Sequence, residues 1–382
     1  MWFYKKIYYT ILFLLPVIVS AQSKFAVDGY ISQMGTSVFM KDSSDATWDY
    51  RFHNRINTAY YPTDNLTVHF QFRNQFLWGE TVENIPEYAD DFSQDRGLVD
   101  MNWNWFAEKN SLLNTQIDRA YIEYTTGNFE LSAGRQRINW GRTFVWNPND
   151  IFNAYSYYDF DYPEKPGADA VRATYYTGMA SSVELVVKSD SSQKFTIAGL
   201  QKFNKWGYDI QFIEGFANGS DFVIGSGWEG NIKSVGFRGE FSYYYPKDNF
   251  TDTSGVFLLS AAFDYTFSNS LMIQTEFLYN DKKTLIKSLN EFYRAPATSK
   301  SLSISEYNFF LNINYPVTPI LSVYTAAMYY TDQKGYFLMP GLDLSVTTNL
   351  QLSFIYQYFN VKTPFNTRMA MNMAFVRLKW NF

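Results

Sequence analysis

The sequence lacks several features that define common protein classes. It has no cysteine among its 382 residues, which excludes disulfide bonds and a lipid anchor on cysteine. Charged residues make up only 18% of the chain, whereas a soluble domain carries about 25%. Beyond Gln22 no apolar run approaches the roughly 20 residues that a membrane-spanning helix needs. The net charge of −5 argues against nucleic-acid binding, which needs a basic face.

The first residues have the pattern of an export signal. Lys5 and Lys6 precede an apolar core, Ile7–Val19, and the small residues Ser20 and Ala21 follow it. This order is typical of a cleaved signal peptide. The alternative is a transmembrane anchor, but the apolar core is too short to span a bilayer. The sequence therefore predicts a signal peptide at residues 1–21 and one domain at residues 22–382.

What the chain has in excess is aromatic residues, 20% of the total, arranged in long alternating segments. The last segment alternates strictly. One face carries Ala374, Val376, Leu378, Trp380 and Phe382, and the other carries Arg377, Lys379 and Asn381. Successive side chains of a strand point to opposite faces, so each such segment has one apolar and one polar face. Comparable segments recur from Phe25 to the end of the chain.

A soluble β-sandwich also produces alternating strands, but three features favour a barrel in the outer membrane. The segments often run for 10–14 residues, against about 5–6 in globular proteins. Aromatic residues crowd the segment ends, as at Tyr60-Tyr61 and Tyr329-Tyr330. Short turns alternate with long polar connections, as in bacterial outer-membrane barrels. We predict an all-β, antiparallel, up-and-down transmembrane barrel of about 18 strands (16–18), with both termini in the periplasm.

A barrel of this size is too wide for side chains to fill. Barrels of 16–18 strands enclose a water channel unless something plugs it. Any narrowing must come from inward-folded loops, and the two longest are Gly79–Asn114 and Asn139–Ala168. The first is acidic and ends in Trp103, Trp105 and Phe106. Its tryptophans could stack on sugar rings, or the loop could be a solvated outer loop with an aromatic belt at its base.

Charged residues cluster in and beside the second loop. Arg135 and Arg137 continue the apolar face of their strand, where arginine at mid-bilayer costs about 2–4 kcal/mol. Either the strand has left the apolar band or a glycine bulge rotates it, and both options bring the arginines near the mouth or lumen. The candidate residues for pore constriction and selectivity are Arg135, Arg137, Arg142, Asp150, Asp159, Asp161, Lys165, Asp169 and Arg172. Opposed charges in a narrow aqueous gap set pore selectivity. Alternatively, these residues form salt bridges that only attach the loop to the inner wall.

The run GRQRINWGRTFVWNPNDIFN, at residues 134–153, carries a resemblance. Together with the charged stretch that follows, it resembles uncharacterised porin-like outer-membrane barrels of Bacteroidetes and proteobacteria that share a GRQ-x-x-x-WG…NP-x-D pattern. The likeness covers roughly Leu131 to Arg172. It implies an outer-membrane barrel that acts as a channel, and it implies neither a substrate nor catalytic residues.

Enzymatic function is not expected. The only histidines, His53 and His69, lie in strand patterns where a polar lumen position is the simpler interpretation. The sequence has no Gly-x-Ser-x-Gly motif and no metal-ligand cluster, so we predict no cofactor.

The sequence therefore predicts an outer-membrane channel for passive diffusion of small hydrophilic or amphipathic solutes. The alternative is a non-transport barrel whose loops serve adhesion or anchor a surface or periplasmic partner. The expected partners are outer-membrane lipid, small solutes, and the barrel-assembly machinery, through the terminal strand that ends in Trp380 and Phe382.

Overall fold

A computed structural model describes residues 24–40, 46–153, 157–248, 255–284, 298–362 and 367–382. These residues form β-strands connected by turns and loops, with two five-residue helices. Among them no helix is long and apolar enough to cross a membrane, a finding that does not bear on crossing by strands. The predicted signal peptide, residues 1–21, lies outside the described residues and stays a prediction.

The strands follow one another along the whole described chain. They are β1 (Phe25–Met40), β2 (Thr47–Thr63), β3 (Leu66–Gly79), β4 (Asn102–Glu108), β5 (Ser111–Thr126), β6 (Phe129–Gln136), β7 (Ala168–Gly178), β8 (Ser181–Ser189), β9 (Phe195–Lys205), β10 (Tyr208–Ala217), β11 (Asp221–Ile232), β12 (Val235–Pro246), β13 (Val256–Thr266), β14 (Met272–Asn280), β15 (Tyr307–Thr318), β16 (Leu321–Tyr330), β17 (Gly335–Ser345), β18 (Leu350–Lys362) and β19 (Arg368–Asn381). Helices α1 (Glu80–Asn84) and α2 (Tyr88–Phe92) lie between β3 and β4.

The sheet closes on itself. Neighbouring strands pair antiparallel, and β19 pairs back with β1 from Asn381 opposite Tyr30 to Met371 opposite Met40. Strand β4 is an addition, since β3 pairs directly with β5 and β4 pairs with one end of β5, Ser111–Gln116. The barrel itself therefore has 18 strands, which confirms the predicted fold and strand number. A single closed sheet also excludes the sandwich.

Connections at the two ends of the barrel differ in length. At one end every connection has five residues or fewer, whereas all the long connections lie at the other end, together with a few short ones such as the turn between β10 and β11. Both ends of the described chain lie at the first end, since Phe25 is opposite Tyr60 and the Phe382 carbonyl accepts from the Gly29 N–H. Which side of a membrane this end faces stays a prediction. The sequence also predicts a short turn at Gly230-Asn231, and this prediction is wrong, because β11 continues to Ile232 and the chain turns after it.

The two faces of the wall have the composition that alternation predicts. On β19, Val376, Leu378 and Trp380 are exposed on the outside, and Arg377 and Lys379 point into the barrel. Aromatic pairs stack on the outer surface near the strand ends, as Tyr50 does with Trp78 on neighbouring strands. This outward apolar surface is the surface that lipid would cover.

The interior contains apolar clusters as well as polar groups. One joins the inner face of β14–β19 to Val145 and Trp146, and it includes Phe337 and Phe359, which have no exposed surface. A second joins β7–β13 to Ile138 and Trp140. In both clusters, side chains of the connection between β6 and β7 cover apolar positions of the inner wall. The hydrophobic core of this barrel therefore lies between its wall and that connection.

Candidate pore lining

The connection between β6 and β7, residues 137–167, is here called the inner loop, and its described residues, 137–153 and 157–167, lie inside the barrel. Its contacts fall on strands around the wall. They run from Trp140 on Glu184 of β8, through Arg142 on Glu240 of β12, Trp146 on Glu276 of β14, Tyr157 on Phe310 of β15 and Tyr158 on Tyr330 of β16, to Phe160 on Phe375 of β19 and Tyr162 on Asp118 of β5. Between Trp146 and Tyr157 the loop returns from β14 to β11, where it meets Ser226, and to β8, where Lys188 donates to the Phe152 carbonyl. The described residues of the inner loop therefore contact strands around most of the wall.

Glu276 of β14 is the best-connected anchor of this loop. Its carboxylate accepts the backbone N–H groups of Phe144, Val145 and Trp146 at 2.9, 2.9 and 2.8 Å, and the hydroxyl of Ser260 at 2.8 Å. Glu276 is 3% exposed. A buried carboxylate is stable only when hydrogen bonds replace its water, and three converging N–H donors supply them here.

A second carboxylate and an amide fix the flanking parts of the loop. Glu240 of β12 accepts the N–H of Arg142 at 3.1 Å and the hydroxyl of Thr143 at 2.9 Å. Asn149 donates to the carbonyl of Ser226 at 3.0 Å and accepts from the hydroxyl of Ser242 at 2.9 Å. The loop is therefore held by its backbone as well as by its side chains.

Two predicted residues, Arg137 and Asp150, pair within the loop. Their ion pair measures 2.6 Å, and Asp150 is buried. Burial raises the pKa of Asp150, and Arg137 opposes that shift. Nearby, burial and repulsion from Arg137 lower the pKa of Lys165 to about 8. This part of the loop therefore holds a basic group that titrates close to neutral pH.

Asp161 joins the far side of the loop to a basic part of the wall. Its carboxylate lies 3.3 Å from Arg377, 3.5 Å from Arg51 and 3.5 Å from Nδ1 of His53. Arg119 of β5 donates to the backbone carbonyls of the loop at Glu164 and Lys165, at 2.7 and 2.9 Å. Basic wall residues thus bind the loop through a carboxylate and through carbonyl oxygens.

Two other predicted residues, Arg135 and Asp169, lie outside the inner loop. Their register places them on the face of β6 and β7 that carries Leu131 and Val171, both exposed on the outer surface. Arg135 pairs with Asp169 at 2.7 Å and with Asp95 at 2.6 Å, and it donates to the carbonyl of Val99 at 2.7 Å. Residues 95–99 of the β3–β4 connection therefore cover this pair from outside, and together they close the wall above the end of β6.

Glycine is required in that covering segment. A Cβ atom on Gly97 would overlap a guanidinium nitrogen of Arg135 and an oxygen of the Asp169 carboxylate. No side chain fits there unless the ion pair moves.

The nine predicted residues therefore fall into three groups. Six lie on the inner loop, namely Arg137, Arg142, Asp150, Asp159, Asp161 and Lys165. Arg172 lies on the inner wall and pairs with Glu130 at 2.7 Å. Arg135 and Asp169 form the outer cluster. Arg137 and Asp150 oppose each other within the loop, Asp161 pairs with the wall, and the role of these residues in selectivity stays a prediction.

Sequence reasoning missed the wall residues that hold the loop. They are Arg51, Arg119, Glu240, Glu276 and Arg377. Alternation could have placed each on an inward face, but alternation carries no information about which loop atom an inward side chain meets. The histidines lie at inward positions, as expected. His53 lies beside Asp161, and the ring of His69 stacks on that of Tyr121 with 4.5 Å between the ring centroids. Within the described ranges no cluster of three or more acidic or histidine side chains has metal-binding geometry.

The other long loop has more structure than predicted. The predicted connection Gly79–Asn114 contains α1, α2 and β4, and β5 begins at Ser111. Trp103 and Trp105 lie on β4 and are exposed, and Trp105 donates to the hydroxyl of Thr115 at 2.8 Å. These tryptophans belong to a strand that pairs with the barrel wall.

Comparison with known proteins supports the fold. No protein-family model matches the sequence, and no curated protein sequence matches it. Among solved structures, OccAB2 of Acinetobacter baumannii is similar with a TM-score of 0.58 at 11% identity, over 93% of this chain and 98% of that chain. OccK5 (OpdH) of Pseudomonas aeruginosa has a TM-score of 0.57 at 9% identity, over 93% and 98%. The outer membrane channel DcaP of A. baumannii has a TM-score of 0.50 at 11% identity, over 97% and 100%. At these identities the likeness establishes the fold alone, a closed barrel of the porin type, and the motif-based link to Bacteroidetes stays a prediction.

Proposed function

We propose that this protein is an outer-membrane channel for passive diffusion of small hydrophilic or amphipathic solutes, narrowed by the inner loop. The observation that carries the proposal is the combination of an 18-strand closed wall with a loop that follows its inner face. A wall of this size encloses an aqueous lumen. Because the described residues of the loop contact strands on several sides of the wall, the loop would reduce the width of the lumen.

Charged groups of the loop and wall would then set ion selectivity. Asp159 is exposed and Lys165 half-buried on the loop, and Arg51 keeps about a quarter of its side chain exposed on the wall. Fixed charges around a narrow aqueous passage favour ions of opposite sign. Arg135 and Asp169 would contribute little, since they pair on the outer face.

Location and assembly follow from the same proposal. The outward apolar surface suits an outer membrane, reached by export after cleavage of residues 1–21. The terminal strand that ends in Trp380 and Phe382 would be the signal for the barrel-assembly machinery. The lumen residues would act by binding and repelling solutes and not by catalysis.

Single-channel conductance of the refolded chain, residues 22–382, in planar bilayers is the test. Discrete, stable current steps are expected, together with a reversal potential in a salt gradient that changes in the variant D159N/D161N/K165M. Silence from a barrel that is folded by circular dichroism and resists unfolding on mild heating would overturn the channel proposal. It would favour the anchoring alternative instead.

Lys165 gives the channel an expected pH dependence. Its lowered pKa of about 8 means that it is mostly charged at pH 7 and mostly neutral at pH 9. The lumen loses positive charge as the pH rises through this range, so cation permeability relative to anion permeability should rise with a midpoint near pH 8. Reversal potentials from pH 6 to 10 measure this change.

The variant K165M should remove the pH step and match the wild type at high pH. The control is K109M, which removes an exposed lysine that pairs with Glu83 in the other long connection. A step that persists in K165M would assign the titration to another group.

A further inference from the structure

A cavity of about 570 Å³ opens at the long-connection end of the barrel, and we call it the vestibule cavity. Inward faces of β1, β2, β18 and β19 form its wall, α1 covers it, and Tyr158–Asp161 of the inner loop form its floor. This volume lies in the range of sites that bind small organic molecules.

One side of the vestibule cavity is apolar. Its lining includes Met34, Val38, Phe160, Met371, Met373 and Phe375. The interior of a transmembrane barrel is usually polar, so an apolar patch bordering the lumen is unusual. Flexible, polarisable methionine side chains adapt to apolar groups of different shapes. This side of the cavity therefore favours the apolar body of a ligand over bulk water.

The charges at the vestibule cavity are mainly negative. Its lining has four carboxylates, Asp49, Glu80, Asp159 and Asp161, against one guanidinium, that of Arg51. Arg51 already lies 3.5 Å from Asp161, which Arg377 also contacts. Asp49 accepts from the N–H of Thr81 at 2.8 Å and from its hydroxyl.

Glu80 and Asp159 are both exposed, and among the described residues neither has an ion-pair partner within 4 Å. The lining therefore has more acidic than basic side chains next to its apolar side, although Arg377 contacts Asp161 and Arg73 interacts with Asp159 from behind the lining. A cationic group is the complement to such a surface.

The hydrogen bonds between Asp49 and Thr81 also hold α1 in place over the cavity. They tie the first turn of α1 to the inward face of β2, and Val82 and Ile85 then face the cavity from above. The apolar groups above and below the cavity thus belong to two separate connections, both held against the wall.

We infer that the vestibule cavity binds an amphipathic organic cation, a single ammonium group attached to an aromatic or short aliphatic body. The ammonium group lies near Glu80 and Asp159, and the apolar body lies against the methionine side. Aromatic rings of the floor, Tyr158 and Phe160, add a favourable contact for a cation. The inference rests on the proposed function, because it identifies the class of solute that the channel would hold at its entrance.

Equilibrium binding to the refolded barrel in a neutral detergent is the test, and it needs no conductance. Three probes separate the contribution of the positive charge from that of the apolar body: 2-phenylethylammonium, 3-phenylpropionate and propylammonium. Phenylethylammonium is expected to bind. Phenylpropionate, which has the opposite charge, and propylammonium, which lacks the aromatic ring, are each expected to bind at least about tenfold more weakly. Equal or tighter binding of phenylpropionate, or equal binding of propylammonium, would overturn the inference.

Two variants locate the site. E80Q/D159N keeps the shape of both side chains and should weaken phenylethylammonium binding about tenfold, the effect of losing two part-exposed charge contacts. M373Q should also weaken phenylethylammonium binding, because it places a polar amide on the apolar side of the cavity. The control D64N/D209N makes the same change of charge at the tight-turn end and should bind like the wild type. Unchanged binding in E80Q/D159N would place the cation elsewhere.

The two proposals fail separately. A folded barrel that binds phenylethylammonium but carries no current keeps the cavity as a ligand site and rejects the channel. A conducting barrel that does not distinguish the three probes keeps the channel and rejects the cation site.

Discussion

Replacing residues 138–166 with a four-residue Gly-Ser hairpin is expected to raise single-channel conductance several-fold. The inner loop leaves and rejoins the wall at paired positions, since Gln136 lies opposite Ala168, so a short linker closes the gap without moving β6 or β7. An 18-strand wall without its loop has a wide aqueous lumen. Planar-bilayer recordings at fixed salt measure the change directly.

The same replacement should lower the thermal stability of the barrel. It removes Ile138, Trp140, Val145 and Trp146 from the two inner clusters and leaves apolar wall positions in water. The matched control replaces Tyr88–Phe92 of the other long connection with Gly-Ser, which should leave conductance nearly unchanged. Equal conductance in the loop replacement and the wild type would mean that the inner loop does not limit the flow of ions.

The wall of the barrel was the predictable part of this protein. Alternation assigned the faces of β19 correctly, with Val376 outside and Arg377 inside, because lipid and water select side chains at every second position. Glycine interrupts the alternation at β11, and glycine and proline interrupt it at β17, yet both segments form strands that pair with both neighbours. There, pairing with neighbours on both sides outweighs local preference.

The site was only partly predictable. The charged stretch was found, but Arg135 could not be assigned to the outer cluster, because its shield, residues 95–99, comes from a connection about 40 positions earlier. The alternative that charges attach the loop to the wall describes Asp161 well. It does not describe the attachment at Glu276, which uses three backbone N–H groups that have no signature in the sequence.

That attachment leads to the second large expected effect. The substitution E276A should lower the free energy of unfolding by about 3 kcal/mol, since it leaves several buried N–H donors without an acceptor. The donors, Phe144, Val145 and Trp146, cannot turn to water without pulling Val145 and Trp146 out of their apolar cluster. Urea unfolding in lipid vesicles, followed by tryptophan fluorescence, measures the loss.

The variant should also release the loop, which separates this effect from a general weakening of the wall. Proteolysis within residues 140–165 should become faster, and the open-channel current should become noisier. E276Q retains one acceptor oxygen and should lie between E276A and the wild type. E130A removes an inward carboxylate whose hydrogen-bond partners among the described residues are Arg172 and Tyr176 of the wall, so it should leave loop proteolysis unchanged. If E276A and E130A were equally resistant to proteolysis, the apolar clusters alone would hold the inner loop, and its carboxylate anchor would be dispensable.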